Sequence, residues 1–327
     1  MIHEAIPEID YEDVSVETIF LGHRFNAPII VEAMTGGHKL AEKINATIAK
    51  VVEKLGLGMG IGSQRAGIED KSLVYTYRVA RENAPTAFLI GNLGASQLKL
   101  GYGINEAKKA LEMINADALA IHLNLLQECI QPEGEPHYKG IIEKIKEVAL
   151  SIDAPLIVKE TGCGISFETA VKLNSVGVAA IDVAGVGGTS FALIEGLRAG
   201  KVGDYMRAHI GKAFAAWGMP TAVSIIEVRN ATDLPIIASG GIRTGIDIAK
   251  ALALGADMAG IALPVLKEAY SHGVEGVENL LKRLITELKI AMLLTGSQNL
   301  DELKKKPVVL SPRITNWLSQ RKLTFKK

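Results

Sequence analysis

Short apolar runs recur along the chain, and most of them end in Gly, Asn or Ser. An apolar run bounded by turn residues is typical of a strand buried in a sheet. Longer stretches whose apolar residues recur with helical spacing lie between these runs. The predicted strands cover residues 28–33, 58–62, 87–91, 118–122, 155–159, 179–183, 235–239 and 257–262, and the clearest predicted helices cover residues 40–55, 104–114, 138–151, 167–176 and 245–254.

Strands that alternate with helices pair in parallel, because a helical crossover returns the chain to the same end of the sheet. Eight such units predict an α/β fold in which the sheet closes into a (β/α)₈ barrel, or TIM barrel. Three segments exceed a minimal barrel: an N-terminal extension at 1–26, an insertion after strand six at 189–223, and a C-terminal tail beyond residue 297. Residues 14–21 of the extension are predicted to form a strand that closes the bottom of the barrel. No linker-like tract separates the segments, so residues 1–327 are predicted to form a single domain.

The composition narrows the range of functions. Hydrophobic residues make up 48% of the chain and charged residues 22%, which indicates a folded protein with a sizeable core. Lys and Arg equal Asp and Glu at 36 each, so no basic excess attracts nucleic acid or anionic lipid. The two cysteines have no metal-binding spacing, and no apolar run approaches the roughly 18 residues of a membrane span. We expect a cytoplasmic protein with neither a nucleic-acid partner nor a membrane partner.

The loop after the seventh predicted strand is the first candidate site, because ligands of a (β/α)₈ barrel bind where the strands end. Residues 239–243 read Ser-Gly-Gly-Ile-Arg. Glycines let backbone amides close on an anion, and the start of the next helix adds partial positive charge. A Gly-Gly pair alone predicts only a turn. Arg243 and a second small-residue strand end at residues 260–263 favour a phosphate site.

The fourth predicted strand carries a line of polar residues. Alternation places Ala120, His122 and Asn124 toward the barrel axis, opposite the bulky apolar residues. A lone His is often only a core residue, but here the polar line continues to Gln127 and Glu128, which favours a functional site. Glu128 is one carboxylate, and one carboxylate together with substrate phosphates is the usual way to hold Mg²⁺.

Lys159 ends the fifth predicted strand, where a buried ammonium must find an anion or lose its charge. The alternative is a Lys that reaches solvent and pairs with Glu160. We favour the functional interpretation.

Three further loops ring the same predicted mouth with Thr, Ser, Asn and amide donors, at residues 34–37, 62–65 and 92–94. Each alone is an ordinary turn, and Arg65 suits bidentate recognition of a phosphate. The glycine cluster at residues 185–189 lacks the spacing of a dinucleotide fingerprint.

Taken together, the motifs resemble those of the type 2, flavin-dependent isopentenyl-diphosphate isomerases. The resemblance runs from about residue 27 to residue 297. It implies an enzyme that interconverts isopentenyl and dimethylallyl diphosphate with FMN, Mg²⁺ and NADPH as the reductant, and that forms a homo-oligomer of four or more chains. The motifs are Met34-Thr35-Gly36-Gly37, Gly62-Ser63-Gln64-Arg65, His122-Leu123-Asn124, Gln127-Glu128, Gln131-Pro132-Glu133-Gly134, Gly187-Gly188-Thr189, Ser239-Gly240-Gly241-Ile242-Arg243 and Ala262-Leu263-Pro264.

The resemblance also implies roles for individual residues. Lys159 would stabilise the anionic reduced flavin, Gln127 would lie against the reacting hydrocarbon, and Glu128 would bind Mg²⁺. The implied catalytic residues are Gln127, His122, Asn124, Lys159 and Glu227, and the implied substrate-binding residues are Ser63, Gln64, Arg65 and Gln127. The implied FMN contacts are Ala33, Met34, Thr35, Ser63, Asn92, Lys159, Thr189, Gly240, Gly241, Arg243, Ala262 and Leu263.

The sequence departs from the family pattern in several places. The family has an N-terminal segment in which an Arg-Lys pair and a His reach the diphosphate, and this sequence begins after it. Ala184 and Val186 stand where the family usually has polar residues, and Leu125 stands where Pro is common. Glu32 lies in a predicted buried strand without an assigned role.

Three other functions fit part of the pattern. The first is an FMN-binding barrel that lacks the N-terminal substrate clamp and is catalytically impaired or silent. The second is another FMN-dependent barrel oxidoreductase, such as a 2-hydroxyacid oxidase, which needs a His base near strand seven that this sequence lacks. The third is a barrel that binds only a sugar phosphate.

Overall fold

Eight parallel strands close into a barrel in the computed structural model, which describes residues 1–325. The barrel runs in chain order from β3 to β10, and β10 pairs with β3 to close it. The strands are β1 (Thr18–Phe20), β2 (His23–Phe25), β3 (Ile29–Val31), β4 (Gly58–Gly60), β5 (Phe88–Gly94), β6 (Ala118–Leu123), β7 (Leu156–Glu160), β8 (Ala180–Asp182), β9 (Ile236–Ala238) and β10 (Met258–Ile261).

Helices follow the barrel strands and cover the outside of the sheet. They are α1 (Lys39–Leu55), α2 (Arg65–Glu69), α3 (Tyr75–Asn83), α4 (Ala95–Lys99), α5 (Ile104–Ile114), α6 (Leu125–Ile130), α7 (Ile141–Ala149), α8 (Phe167–Asn174), α9 (Phe191–Lys201), α10 (Tyr205–Ala213), α11 (Thr221–Ala231), α12 (Gly245–Ala253), α13 (Leu263–Ser271), α14 (Gly273–Leu293), α15 (Leu300–Lys305) and α16 (Pro312–Arg321). Short 3₁₀ helices cover Tyr11–Asp13 and Lys71–Leu73. Within residues 1–325, no helix has both the length and the apolar character that crossing a bilayer requires.

The (β/α)₈ fold and all eight predicted strands are confirmed in order, although the strand bounds differ by a few residues. The predicted helix at 104–114 coincides with α5, and the other four predicted helices overlap α1, α7, α8 and α12. Apolar runs therefore locate the strands, whereas their ends depend on pairing with neighbours that a single run does not reveal.

The inside of the barrel changes from apolar to polar along the strands. The buried inner cluster includes Ile30, Ile90, Ala120, Ile157 and Ile237, which lie on five different strands. Side chains two residues apart on a strand share a face, so the next inward positions toward the strand ends are polar. These positions carry Glu32, Asn92, His122, Lys159 and Ser239, together with Asp182 two residues beyond Ala180. We call this layer the polar floor of the mouth.

A hairpin closes the opposite end of the barrel. The predicted strand at 14–21 is shorter than expected, and it pairs antiparallel with β2 rather than joining the barrel. Leu21 and Gly22 form the turn with φ of 47° and 81°. Phe20 and Phe25 are buried against Phe88, with ring centroids 6.3 Å and 5.5 Å from it. This aromatic plug seals the bottom of the barrel.

The insertion after β8 and the C-terminal tail are both helical. Helices α9 and α10 of the insertion pack on each other and expose Tyr205, Met206 and, beyond α10, Trp217. The tail packs back onto the barrel through Trp317. Its indole Nε1 donates a 2.8 Å hydrogen bond to Glu227, which holds α16 against the barrel.

Candidate functional site

Two glycine loops touch each other at the mouth of the barrel, after β8 and after β9. Gly240 and Gly241 have φ of 102° and 87°, a backbone conformation that side chains strongly disfavour. A Cβ at Gly240 would lie 2.1 Å from the carbonyl oxygen of Gly185, and one at Gly241 would lie 2.4 Å from that of Gly187. The loops can approach this closely only because both carry glycine.

A guanidinium and several backbone amides lie together at these loops. The guanidinium of Arg243 donates to the carbonyl oxygens of Gly241 at 2.9 Å and Gly187 at 3.0 Å, and no carboxylate of residues 1–325 pairs with it. The following backbone amides donate to no described residue: Gly187, Gly188, Gly240, Gly241 and Ile242. Clustered amides beside a cation form an anion site, so the donor set fits a phosphate group.

The start of α12 contributes less than the sequence predicted. The amides of Arg243 and Thr244 donate to Asp247 at 3.1 Å and 3.0 Å, and the amide of Gly245 donates to Glu287 at 2.6 Å. Carboxylates of the protein therefore already occupy the helix N-terminus. The glycine loops and Arg243 supply the phosphate donors instead.

Lys159 is the charged centre of the polar floor. Its Nζ lies 3.3 Å from Asp182 and 3.6 Å from Glu32, and it donates a 2.8 Å hydrogen bond to the carbonyl oxygen of Glu160. Burial alone lowers the pKa of Lys159, but the neighbouring carboxyl groups, first Asp182 and then Glu32, outweigh it and raise the pKa above its ordinary value. The ammonium therefore stays charged, and it does not pair with the Glu160 carboxylate.

His122 lies beside Lys159 as a neutral imidazole. Its Nδ1 lies 2.9 Å from Oδ1 of Asn92, whose Nδ2 donates to the carbonyl oxygen of Ile61 at 3.1 Å. That arrangement makes Asn92 Oδ1 an acceptor, so the His122 proton is assigned to Nδ1 and Nε2 carries a lone pair. Burial, aided by the charge of Lys159, lowers the pKa of His122 to about 3.

Asn124 and Glu128 form one hydrogen-bonded unit at the start of α6. Asn124 Nδ2 donates to Glu128 at 2.9 Å, while Tyr138 holds both the amide and the side-chain oxygen of Asn124. The other Glu128 oxygen accepts from Gln131 at 3.1 Å and from the amide of Glu135 at 2.8 Å. Within residues 1–325, no group of three or more His, Cys, Asp or Glu side chains could hold a metal.

Gln127 reaches across to the insertion. Its Nε2 donates a 3.0 Å hydrogen bond to Glu195 of α9, which is only 3% exposed. Glu195 also accepts from Arg198, which pairs with Glu133 at 2.8 Å. Sequence reasoning missed Glu195 because it lies 68 residues from Gln127 in a helix whose other residues read as an ordinary amphipathic segment.

A shallow cleft opens beside this pair. Polar and small residues, including Gln127, Gly188 and Thr189, line one part of it. The other part is lined by Phe191, Phe214 and Trp217 of the insertion. The cleft therefore combines amide donors with an apolar wall.

Ser63, Gln64 and Arg65 differ in what they offer the mouth. Ser63 is partly exposed, and its hydroxyl makes no hydrogen bond with a described residue. Arg65 is half exposed and pairs with Glu69 at 2.8 Å. Gln64 is fully buried, and its side chain bonds to the carbonyl oxygen of residue 110 at 2.7 Å and to the amide of residue 92 at 2.8 Å. The Gln64 side chain is therefore committed to the barrel wall, in contrast to its predicted substrate contact.

Other predicted cofactor contacts surround the same mouth. They follow three different strands and are partly buried or exposed at the strand ends: Ala33, Met34 and Thr35 after β3, Thr189 after β8, and Ala262 and Leu263 after β10.

Comparison with known proteins shows the family to which the chain belongs. The chain is 49% identical over 320 residues to an isopentenyl-diphosphate delta-isomerase of Ignicoccus hospitalis, covering 98% of this chain and 88% of that protein. It is 48% identical to proteins of the same name from Methanothermobacter thermautotrophicus, covering 100% and 90%, and from Pyrococcus furiosus, covering 98% and 82%. The chain belongs to the isopentenyl-diphosphate delta-isomerase family. The resemblance seen in the sequence is thereby confirmed.

Two further comparisons agree with this delta-isomerase family assignment at the level of fold and cofactor class. The family model described as FMN-dependent dehydrogenase matches residues 134–310. A lactate oxidase of Pediococcus acidilactici superposes with a TM-score of 0.66 at 20% identity, covering 94% of this chain and 81% of that one. A mandelate oxidase variant with a monooxide FMN adduct gives 0.63 at 18% identity, covering 95% and 86%. At such identities the superpositions show the barrel fold alone.

Glu227 does not join the candidate site of this delta-isomerase family member. It is fully buried, accepts from Trp317 at 2.8 Å and Arg321 at 2.9 Å, and accepts from the amide of Phe167 at 2.9 Å. These bonds anchor α16 and the start of α8. They differ from the predicted pocket role, and Glu195 is the glutamate that contacts Gln127.

Proposed function

We propose that this protein interconverts isopentenyl diphosphate and dimethylallyl diphosphate, with FMN as cofactor, NADPH as reductant and Mg²⁺ as counter-ion of the diphosphate. The observation that carries the proposal is the identity of 48–49% over nearly the whole chain to proteins named isopentenyl-diphosphate delta-isomerase. A mouth with a phosphate-type donor set and a separate polar cluster around Gln127 supports it, because the reaction needs a cofactor and a substrate that are both anionic.

The residues present fit FMN. The glycine loops and Arg243 would hold its phosphate, and Lys159 would lie against its ring at the polar floor. When bound and reduced, FMN supplies the acid and base needed to add a proton to an unactivated alkene and remove an allylic one. The Lys159 ammonium keeps its charge and favours negative charge on the reduced ring.

Gln127 and Glu195 would position the hydrocarbon part of the substrate. The buried Glu195 carboxylate fixes the Gln127 amide in one orientation, and the apolar wall of the cleft would contact the hydrocarbon of a bound substrate. Holding a substrate in one reactive geometry is a large part of the rate enhancement of many enzymes.

The diphosphate would lie near Ser63, Arg65 and His122. Ser63 and Arg65 offer donors directly, whereas neutral His122 presents only a lone pair at Nε2. An anion beside an imidazole raises its pKa, so binding of the diphosphate should draw a proton onto His122. Substrate binding would then be accompanied by proton uptake.

The fit to Mg²⁺ rests on one side chain. A carboxylate offers about four lone-pair sites, and Glu128 already uses three of them on protein donors. One site remains, which suits a Mg²⁺ ion held mainly by diphosphate oxygens and water.

The direct test is a spectrum followed by an assay. Purified protein mixed with FMN is expected to retain a flavin absorption band after gel filtration. Under anaerobic conditions with NADPH and Mg²⁺, it should convert isopentenyl diphosphate to dimethylallyl diphosphate, and omission of the reductant should abolish conversion. No flavin uptake would overturn the proposal, whereas flavin retention without turnover would favour the silent FMN-binding barrel.

The contact between Gln127 and Glu195 gives a sharper prediction. Glu195→Gln should lower kcat on the order of 100-fold, because misplacing a reacting group by about 1 Å has that effect, while FMN affinity stays unchanged. Glu133→Gln is the matched control, because Glu133 bonds to the same arginine but not to Gln127. Equal kcat values for the two variants would remove the positioning role of Glu195.

We also propose a homo-oligomer. The exposed apolar side chains of the insertion, among them Tyr205, Met206 and Trp217, support this proposal. Sedimentation velocity should give a mass of at least four chains, and a single-chain mass would contradict it.

A further inference from the structure

Glu32 is a buried acid that the proposed chemistry does not use. It directly follows β3, lies at the polar floor and is 7% exposed. One of its oxygens, Oε2, lies 3.6 Å from Lys159, and the other, Oε1, has no hydrogen-bond partner among residues 1–325. Lys159 therefore faces two buried carboxyl groups, Glu32 and Asp182, and a single ammonium neutralises only one of them.

The hydrogen bonds decide which carboxyl group is ionised. Asp182 Oδ1 accepts from the Ser239 hydroxyl at 2.6 Å and from the amide of Ala184 at 3.2 Å, and Oδ2 lies 3.3 Å from Lys159. Donors stabilise the charged form of a carboxyl group. Glu32 has the more distant contact with Lys159 and no backbone or hydroxyl donor. Asp182 is thus the counter-ion of Lys159.

No other strand of the barrel brings a charge that would ionise Glu32. The neighbouring strands β4 and β10 contribute Gly60 and Gly260, and β9 contributes Ser239, which donates to Asp182. Opposite, β5 and β6 contribute Asn92 and His122, which bond to each other, and the His122 imidazole is neutral. Lys159 of β7 and Asp182 of β8 are the charged groups that face Glu32 among the described residues.

A glycine in the neighbouring strand β10 leaves space for the Glu32 side chain. A Cβ at Gly260 would lie 2.1 Å from Glu32 Oε1 and 2.7 Å from the Cβ of Ser239. Gly260 pairs in register with Ile30, two residues before Glu32. A glycine at this point lets the acid lie flat against β10 beneath the mouth, where water does not reach its free oxygen.

We propose that Glu32 carries a proton at neutral pH and acts as the charge-setting residue beneath the cofactor ring, so that Lys159, Asp182 and Glu32 together are neutral. The proposal rests on the proposed FMN site. If Glu32 were ionised, the three groups would carry a net negative charge and would oppose an anionic reduced ring. Burial and the charge of Asp182, opposed by Lys159, raise the pKa of Glu32 to about 8, which agrees with this assignment.

Infrared spectroscopy of protein labelled with ¹³C at the glutamate carboxyl groups tests protonation, whether or not flavin is bound. The labelled wild type should show a protonated carboxyl band at pH 7 that Glu32→Gln abolishes. Asp182→Asn should also abolish it, because Glu32 then becomes the counter-ion of Lys159. Glu160→Gln should keep the Glu32 band. Burial raises the pKa of Glu160, but three backbone amides donate to its carboxylate and stabilise the charged form. A wild type without the band would overturn the proposal.

The midpoint potential of the bound flavin tests whether the charge of Glu32 affects the cofactor. At pH 7, Glu32→Gln should leave the potential unchanged, because it replaces one neutral group by another. As the pH rises and Glu32 ionises, the wild-type potential should fall below that of the variant. A higher potential for Glu32→Gln already at pH 7 would show an ionised Glu32 and overturn the proposal. Should the protein bind no flavin, the proposed function fails, while the infrared band still decides the protonation of Glu32.

Discussion

Arg243 brings a formal positive charge to loops that otherwise offer only backbone amides. Its guanidinium lies over the carbonyl oxygens of Gly241 and Gly187, from which it can turn toward a phosphate. We predict that Arg243→Ala weakens FMN binding about 10- to 100-fold, since a hydrogen bond to a charged group contributes about 1.5–3 kcal/mol. Titration of flavin fluorescence measures the change.

Two companion variants identify what Arg243 contributes. Arg243→Lys keeps the charge but loses the paired donors, so it should restore only part of the affinity. Arg283→Ala removes an exposed arginine that lies 3.8 Å from Glu287, and it should bind FMN like the wild type. If Arg243→Ala binds FMN as tightly as Arg283→Ala, the phosphate does not lie at these loops.

The sequence predicted only some of the contacts that individual site residues make. The position of Lys159 at a strand end predicted a buried charge that needs an anion, and the structure supplies Asp182 for it. Gln64 lies in the same loop as Ser63, yet it turns into the barrel wall, because its side chain bonds to backbone groups of β5 and α5. A side chain's partners depend on distant segments, which a strand pattern does not specify.

At the scale of elements, the contact between the two glycine loops is the feature most sensitive to a single atom. We predict that Gly241→Ala abolishes measurable FMN binding, because its Cβ would lie 2.4 Å from the carbonyl oxygen of Gly187. Gly203→Ala is a closely matched control, since Gly203 has φ of 86° against 87° for Gly241 but no atom within 4 Å of its Cβ.

Both variants pay the same backbone strain, on the order of 1 kcal/mol. Their difference therefore isolates the collision between the loops. Differential scanning calorimetry with and without FMN separates a folding defect from a binding defect. Equal FMN affinities for the two variants would contradict the prediction.

The attachment of α16 is expected to depend on pH through Glu227. Burial raises the pKa of this group, but hydrogen bonds from Arg321 and Trp317 outweigh it, and the net pKa lies below the ordinary value of 4.5. A carboxyl group with a lowered pKa contributes stability above its unfolded pKa and loses it as the pH falls through the folded one. We predict that α16 detaches as the pH drops below about 4.5, and that Trp317 fluorescence reports it.

A Trp217→Phe background leaves Trp317 as the single reporter, because the chain has two tryptophans. Arg321→Ala should move the transition to higher pH and destabilise the protein by about 1.5–3 kcal/mol, the range for a hydrogen bond to a charged group. FMN affinity should not change, because these residues lie apart from the mouth. A transition that Arg321→Ala leaves in place would rule out this anchor.

Across the whole molecule, the sequence predicted the barrel and the positions of the residues at its mouth. It predicted fewer of the contacts that these residues make with one another. Alternation with helices fixes the parallel order, and strand ends fix the mouth, so His122 and Lys159 were found from local pattern alone. Glu195 and Glu227 show the limit. Each lies in a helix of the second half of the chain, and only the way α9 and α11 pack decides which of the two carboxylates reaches Gln127.

The free energy of unfolding of the whole chain should depend on pH because of Glu32. A carboxyl group whose pKa is raised on folding binds more protons in the folded state, so its contribution to stability is lost as the pH rises from 4.5 through about 8. We predict that Glu32→Gln gains stability relative to the wild type across this window, by on the order of a few kcal/mol. Urea unfolding on both sides of the window measures the gain, and a difference that is constant with pH would contradict it.

The aromatic plug of Phe20, Phe25 and Phe88 closes the bottom of the barrel. The mouth is therefore the route into the barrel. Whatever reaches the polar floor must enter past the mouth and leave by the same route, so the last group to enter blocks the way out of the first. A molecule bound across the mouth therefore blocks solvent access to the proton on Glu32. The rate at which that proton exchanges for deuterium then measures how long the mouth stays covered.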